Sequence, residues 1–324
     1  MEKKIEFSVT EAESGKTIRQ ILKTKIGLTS REIRQIKFRE NGVRKNGIPA
    51  RCTEQVVTGD ILILTLESPK DEGMKSRSSD CLSDSELSSD ERSKWIPNPG
   101  SLDVLYEDED ILIVNKPSGM PSHPSPGHYA DTLANRVAWY LTEHGQEPDI
   151  HMAGRLDKDT SGVMVFAKNS PAAARLAKQR EDGRLKKEYL AWVKGSPEPK
   201  EGTIDAPIGP VNGELNRMEV RSDGTCSVTH YQVVGEKEGY SLLHITLEQG
   251  RTHQIRVHMS SVGHPLAGDP IYGQEGFPNL YFQRLALHAW RLTLEQPFRG
   301  EPITVEAECP LFPILSSISN INTK

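Results

Sequence analysis

The sequence predicts an α+β protein with a mostly antiparallel mixed sheet, preceded at the N-terminus by a small α/β domain. Three observations predict it. Beyond residue 101, segments of strand character divided by Gly and Pro outnumber segments of helical period, so hairpins outnumber helical crossovers. Residues 17–66 run in a different order, two short helices and then a hairpin. Residues 68–100 separate the two, with Ser at nine positions and no apolar period. Such a segment cannot bury enough surface to offset its ordering entropy, so it reads as a flexible tether that fixes no single geometry. The expected domains are 1–67, 68–100 and 101–324.

Composition narrows the class. A chain of 324 residues can build two domains and a large core. No apolar run approaches the length of a membrane span, and MEKKIEFSVTEAESGK lacks the basic flank and apolar centre of a signal peptide. Cys52, Cys81, Cys226 and Cys309 are scattered, without metal-type pairing or a disulfide framework, which points to a reducing, cytoplasmic setting. Net charge is −5, yet residues 1–67 hold 13 Lys and Arg against 9 Asp and Glu. A local basic face is what phosphate contact needs, whatever the whole chain sums to.

In the first unit, residues 17–25 form a short helix with Ile18, Ile21 and Leu22 on one face. Ser30 is positioned to cap REIRQIKFRE, with Ile33, Ile36 and Phe38 turned inward. Asn46-Gly47 is a two-residue hairpin signal, and Gly59-Asp60 a further turn before ILILTL. Arg31, Arg34, Lys37, Arg39, Arg44 and Lys45 crowd the second helix and the hairpin. A charge run is usually a solvated helix face; its continuation onto the hairpin favours RNA.

In the larger unit, residues 103–106 and 111–115 read as strands joined by an acidic turn. Asp131 or Thr132 caps a helix carrying Leu133, Val137 and Leu141. Ser170 as N-cap and Pro171 at the first helical position open another, which ends at Asp182-Gly183. Strands follow at 188–194, 203–208, 217–221, 227–234 and 241–248, then a helix from Thr252 or His253 through Val262, and strands at 286–294 and 303–307.

Residues 151–168, HMAGRLDKDTSGVMVFAK, concentrate the polar groups. A loop from Gly154 to Gly162 feeds a strand in which Val163, Val165 and Ala167 alternate with Met164, Phe166 and Lys168. A polar loop delivered by a buried strand is a common place for chemistry. From the residues alone, Asp157 and Asp159 have equal claim, and each could simply hold its own loop through backbone N–H groups.

GRLDKDTSG with its following strand resembles the signature loop of the RluA-type RNA pseudouridine synthases. NKPSGMPSHPSPG (115–127), KKEYLAWVKG (186–195), LEQGRTHQIRVHMSSVGHPLAGDPIYG (247–273) and LALHAWRL (285–292) fit the same family in the same order. Gly154 departs from it, since members often have His before the Arg. Residues 17–66 resemble the S-four-type RNA-binding domain.

The resemblance implies the pseudouridine synthase fold and the isomerisation of uridine to pseudouridine in structured RNA, with large-subunit ribosomal RNA favoured over transfer RNA. It implies Asp157 as the catalytic carboxylate and Asp159 as a residue of the turn. Arg256 is expected beside Asp157, keeping it ionised. Tyr189 is expected to stack under the target base, its hydroxyl joining a proton transfer or pairing with Arg256. Arg155 would fill the space left by a flipped uridine, with Arg175, Lys178, Arg180, Arg184, Lys186 and Lys187 along a phosphate track.

Two chemical routes are open to the carboxylate: attack on the anomeric carbon, or proton abstraction from the sugar through a glycal. Neither calls for a cofactor or a metal. The spacing of His253, His258 and His264 does not suit one, and Lys116-Pro117-Ser118-Gly119 lacks the phosphate-loop pattern. A monomer is expected. The competing expectations are a catalytically inactive RNA-binding accessory protein and a nucleoside-hydrolysing glycosidase. The latter would need a second carboxylate and gives no reason for the basic module.

Overall fold

The computed structural model describes residues 2–28, 30–39, 41–67, 96–214, 217–273 and 284–309. The expected tether falls on 68–95, outside the described residues. Its expected end does not: Asn98 bonds the Asn135 and Ala130 carbonyls, and Asn135 Nδ2 bonds the Ile96 carbonyl. Residues 96–100 therefore belong to the larger unit, because their backbone finds partners on its surface.

The first unit is a four-stranded sheet carrying two helices. β1 (Glu2–Ser8) was not anticipated, although Ile5, Phe7 and Val9 alternate. α1 (Ile18–Thr24) starts at a Thr17–Gln20 capping box, and Ile18, Ile21 and Leu22 are buried as expected. α2 (Ser30–Lys37) already includes Ser30 as a helical residue. β2 (Val43–Lys45) turns at Asn46-Gly47 into β3 (Ile48–Pro49), and β4 (Ile61–Glu67) closes the sheet in the order β1-β4-β2-β3. Leu62, Leu64 and Leu66 line its core with Ile33 and Ile36. Phe38 does not join them. It lies past the end of α2 and is 77% exposed, with the Lys37 ammonium 5.2 Å from its ring.

The larger unit is built on a ten-stranded sheet. β5 (Asp103–Glu107) and β6 (Ile111–Lys116) form its first hairpin. α3 (Leu133–Glu143) is capped by Thr132. β7 (His151–Met152) is short, and β8 (Ser161–Ala167) is buried along its whole length. α4 (Ser170–Glu181) is capped one residue earlier than expected: the Asn169 side chain accepts the Ala172 N–H at 2.9 Å, which puts Ser170 inside the helix.

The remaining strands are β9 (Lys186–Lys194), β10 (Glu201–Asp205), β11 (Ile208–Pro210), β12 (Met218–Val220), β13 (Val228–Lys237) and β14 (Tyr240–Leu247). The expected strand 203–208 splits at Ala206-Pro207, because β11 leaves the main sheet to pair with β12. α5 (Gln254–Ser261) precedes β15 (Leu287–Glu295) and β16 (Pro302–Glu306). The sheet runs β10-β13-β14-β9-β15-β8-β6-β5, with β16 on β15 and β7 on β8. Among the described residues, β15–β8 is its only parallel pairing.

The period of two in β8 places that strand between two cores. Met164 and Phe166 join Leu133, Val137 and Leu141 of α3 on one face. Val163, Val165 and Ala167 join Ala172 and Leu176 of α4 on the other. Burial on both faces makes β8 a rigid support for the loop it follows.

The two units touch through Arg175, which was expected on a phosphate track. Its guanidinium is buried instead, 3.1 Å from Glu32 of α2 and 3.2 Å from the Ile26 carbonyl, with the Phe298 ring 4.2 Å away. This contact ties α2 of the first unit to α4 of the larger one. No helix among the described residues is long and apolar enough to cross a membrane.

Candidate active site

The loop between β7 and β8 is shaped by its two glycines. Gly154 takes φ +125, a conformation that side-chain-bearing residues rarely adopt. At Gly162 a Cβ atom would lie 2.1 Å from the Ala289 carbonyl oxygen, so only Gly allows β8 and β15 to meet in parallel.

The loop is pinned from below by residues 116–122. Lys116 is fully buried, and its ammonium donates to the carbonyls of Pro117, Met120 and Lys158 at 2.9, 2.7 and 2.9 Å. Three acceptors match the three donors of an ammonium. Burial pulls this amine down to about 7, with the Asp159 and Asp157 carboxylates opposing. The Gly119 N–H bonds the Lys158 carbonyl, Ser118 Oγ donates to the Asp159 carbonyl, and Ser122 Oγ bonds both the carbonyl and the N–H of Leu156. The turn is thus held at the Asp159 backbone carbonyl, whereas sequence reasoning assigned the holding to its side chain. A cavity of about 400 Å³ lies behind the pinning segment, walled by Lys116, Arg136, Ser161, Arg284 and His288. Asp157 is not among its lining residues.

Asp157 points elsewhere. Its carbonyl accepts the Thr160 N–H, while its carboxylate faces Arg256 Nη1 at 3.6 Å and His253 Nε2 at 3.9 Å. Arg256 is buried in the first turn of α5. Its firm partner is Asp269, bonded from Nε and Nη2 at 2.8 and 2.7 Å. Burial alone would raise the Asp269 carboxyl, but Arg256 and the N–H groups of Ile271 and Tyr272 hold it below the ordinary carboxylate range.

Tyr189 lies on β9 between Ile245 of β14 and Ala289 of β15. Burial, with Asp157 adding to it, pushes its hydroxyl well above the ordinary tyrosine value. Arg256 lies over the Tyr272 ring, 5.1 Å from its centroid.

The structure therefore brings Asp157, Tyr189 and Arg256 together, and leaves Arg155 exposed at the rim. Arg180 and Lys187 flank the loop, within 4.0 and 3.7 Å of where a Gly154 side chain would begin. Lys178 and Arg184 are drawn off by Asp182, Glu181 and Glu295. Arg34 and Lys37 are exposed on α2, Arg39 is half-buried, and the side chain of Arg31 is outside the described residues. Arg44 bonds Asn41, and Lys45 lies 3.9 Å from Asp60. His258 bonds Thr229 and the Ala206 carbonyl, and His264 the Lys194 carbonyl.

Sequence reasoning missed Lys116, His253, Asp269 and Tyr272 as parts of the site. Each stands in a motif that had been singled out, but their partners are set by tertiary contacts.

A family model described as RNA pseudouridylate synthase matches residues 110–261, from β6 through α5. An uncharacterised RNA pseudouridine synthase of Bacillus subtilis (strain 168), YhcT, is 43% identical over 227 residues, 69% of this chain and 74% of its own. A second from that strain, YlyB, is 34% identical over 309 residues, 94% of each chain. The ribosomal large subunit pseudouridine synthase D of Nitrosomonas europaea is 41% identical over 229 residues, 68% of this chain and 66% of its own. Among solved structures, human RNA pseudouridylate synthase domain containing 1 matches with a TM-score of 0.54 at 29% identity, over 68% of this chain and 90% of that one.

Fold and comparisons together define an RNA-modifying isomerase. The chain belongs to the RluA-type family of RNA pseudouridine synthases, enzymes that convert uridine in RNA to pseudouridine.

Proposed function

We propose that the enzyme acts on large-subunit ribosomal RNA, that Asp157 is its catalytic carboxylate, and that residues 1–67 bind the RNA. The observation that carries the reading is the direction of Asp157. Its loop is fastened by other groups, so the carboxylate is released from local duty and faces a buried cation. That is the arrangement a reacting carboxylate needs in a site with little water.

The reaction breaks the bond from C1′ to N1 of uracil and makes one from C1′ to C5, with no net oxidation. The C5 proton leaves and N1 gains one, so atoms balance without a cofactor. Asp157 either attacks C1′ and is displaced by C5, or takes a sugar proton and returns it through a glycal. Arg256, anchored by Asp269, would face the Asp157 carboxylate with its third nitrogen at the start of either route. The Tyr189 ring would lie under the uracil. Arg155, exposed at the rim, would occupy the stack vacated by the flipped base. Arg180 and Lys187, on either side of the loop, would meet flanking phosphates.

Arg31, Arg34, Lys37, Arg39, Arg44 and Lys45 would supply sequence-independent affinity. The ribosomal target is supported by the name of the Nitrosomonas relative, a ribosomal large subunit pseudouridine synthase. We assign the protein to the cytoplasm as a monomer. The test is pseudouridine mapping, by carbodiimide-dependent reverse-transcription stops, in total RNA from a deletion strain and its parent. Loss of stops in large-subunit RNA is expected. Loss confined to transfer RNA would overturn the target.

A further inference from the structure

Tyr272 and His253 form a chain that ends at Asp157. The Tyr272 oxygen accepts the Met218 N–H at 2.9 Å and lies 2.9 Å from His253 Nδ1. If Nδ1 also donated to this oxygen, the hydroxyl proton would be left without an acceptor among the described residues, in a half-buried place. Donation from Tyr272 O–H to Nδ1 satisfies both groups. A neutral ring that accepts at Nδ1 carries its proton on Nε2. Nε2 is the atom that faces Asp157 Oδ2, at 3.9 Å. Catalytic hydrogen bonds are often this long in a free enzyme and tighten when substrate binds.

The backbone gives an independent argument. His253 precedes α5 with φ 56, in the left-handed region, and its side chain does not cap the helix. A side-chain-bearing residue rarely holds that conformation when nothing local offsets it. The conformation does aim the ring between Tyr272 and Asp157. Burial keeps the imidazole below its ordinary pKa, with Asp157 opposing, so the neutral form is favoured.

We propose that His253 is a positioning residue for the isomerisation: Tyr272 sets its tautomer, and its Nε2–H orients Oδ2 of Asp157, the oxygen that Arg256 also faces, leaving the other oxygen directed at the sugar. This rests on Asp157 being the reacting carboxylate.

The test uses the full-length protein labelled with ¹⁵N-histidine. Long-range proton–nitrogen correlation should show His253, assigned by its disappearance in His253→Asn, as the Nε2–H tautomer. Tyr272→Phe should convert it to a mixture. Single-turnover rates at saturating RNA should fall about tenfold or more in Tyr272→Phe and His253→Asn, as when one preorganised donor is removed, with RNA affinity within about twofold of the parent. His253→Gln, whose amide can reach where Nε2–H lies, should recover part of the rate. A proton on Nδ1 in the parent overturns the proposal, and so does a parental rate in His253→Asn while Asp157→Asn is inactive. An active Asp157→Asn would instead sink the reading of Asp157 beneath it.

Discussion

Arg256 holds Asp269 with two hydrogen bonds and leaves its third nitrogen 3.6 Å from Asp157. One buried guanidinium thus faces two carboxylates, held by one and left short of a hydrogen bond to the other. Asp269→Asn should remove half of the anchor and leave the buried Arg256 undercompensated. Breaking a buried pair typically costs about 3–5 kcal/mol. Urea denaturation should show a lower midpoint with an unchanged slope, and turnover should fall with it. An unchanged midpoint would mean that Asp157 alone neutralises Arg256.

Lys116→Met keeps the length of the side chain but takes a donor from three carbonyls, of which that of Lys158 keeps the Gly119 N–H. A loss of about 3 kcal/mol is expected. Because two of those carbonyls belong to the pinning segment and one to the loop itself, turnover should fall while RNA affinity holds. Parental turnover would show that the remaining bonds from Ser118, Gly119 and Ser122 suffice.

Arg175→Met should loosen the first unit from the second. Glu32 and the Ile26 carbonyl would lose their shared donor. The radius of gyration from small-angle scattering should rise, and RNA binding should weaken because the two contact surfaces are no longer held together. Unchanged scattering would mean that other contacts hold the module.

Much of this could be read from the sequence, and the misses share a cause. The alternation in β8 announced a strand buried on both faces, and Asn46-Gly47 announced its hairpin, since both depend on neighbours within a few residues. Arg175 looked like one more member of a basic run; only the docking of α2 reveals it as buried. Asp269 sits in a Gly-Asp-Pro turn that was quoted but given no role, because its partner lies 13 residues away on a helix. Lys116 was weighed against phosphate, whereas its acceptors include a backbone carbonyl 42 residues along the chain. Local pattern reports elements; it does not report which buried charges meet.

Acid stability should carry the signature of His288. Burial depresses this ring from the ordinary 6.5 to about 4, with its nitrogens bonded to Ser161 and the Ala307 carbonyl. Between those values the unfolded chain binds a proton that the native chain does not, so stability rises with pH in that window. The contribution is complete above about pH 6.5 and falls by up to about 3 kcal/mol as the pH drops to 4. His288→Gln should flatten this limb of the profile. A limb of the same steepness in the variant would assign the acid loss to other groups.

The most direct test of the central claim compares Asp157→Asn with Asp159→Asn on one RNA. Asparagine keeps the size of the side chain and removes its charge. Asp157 faces the buried cation, whereas Asp159 contributes its backbone carbonyl to the pinned turn and keeps that bond in either form. Pseudouridine formation is read by carbodiimide-dependent stops, with melting temperature and RNA affinity measured alongside. Asp157→Asn should fold, bind RNA as the parent does and form no pseudouridine, and Asp159→Asn should retain measurable turnover. Full activity in Asp157→Asn, or complete loss only in a well-folded Asp159→Asn, would contradict the account.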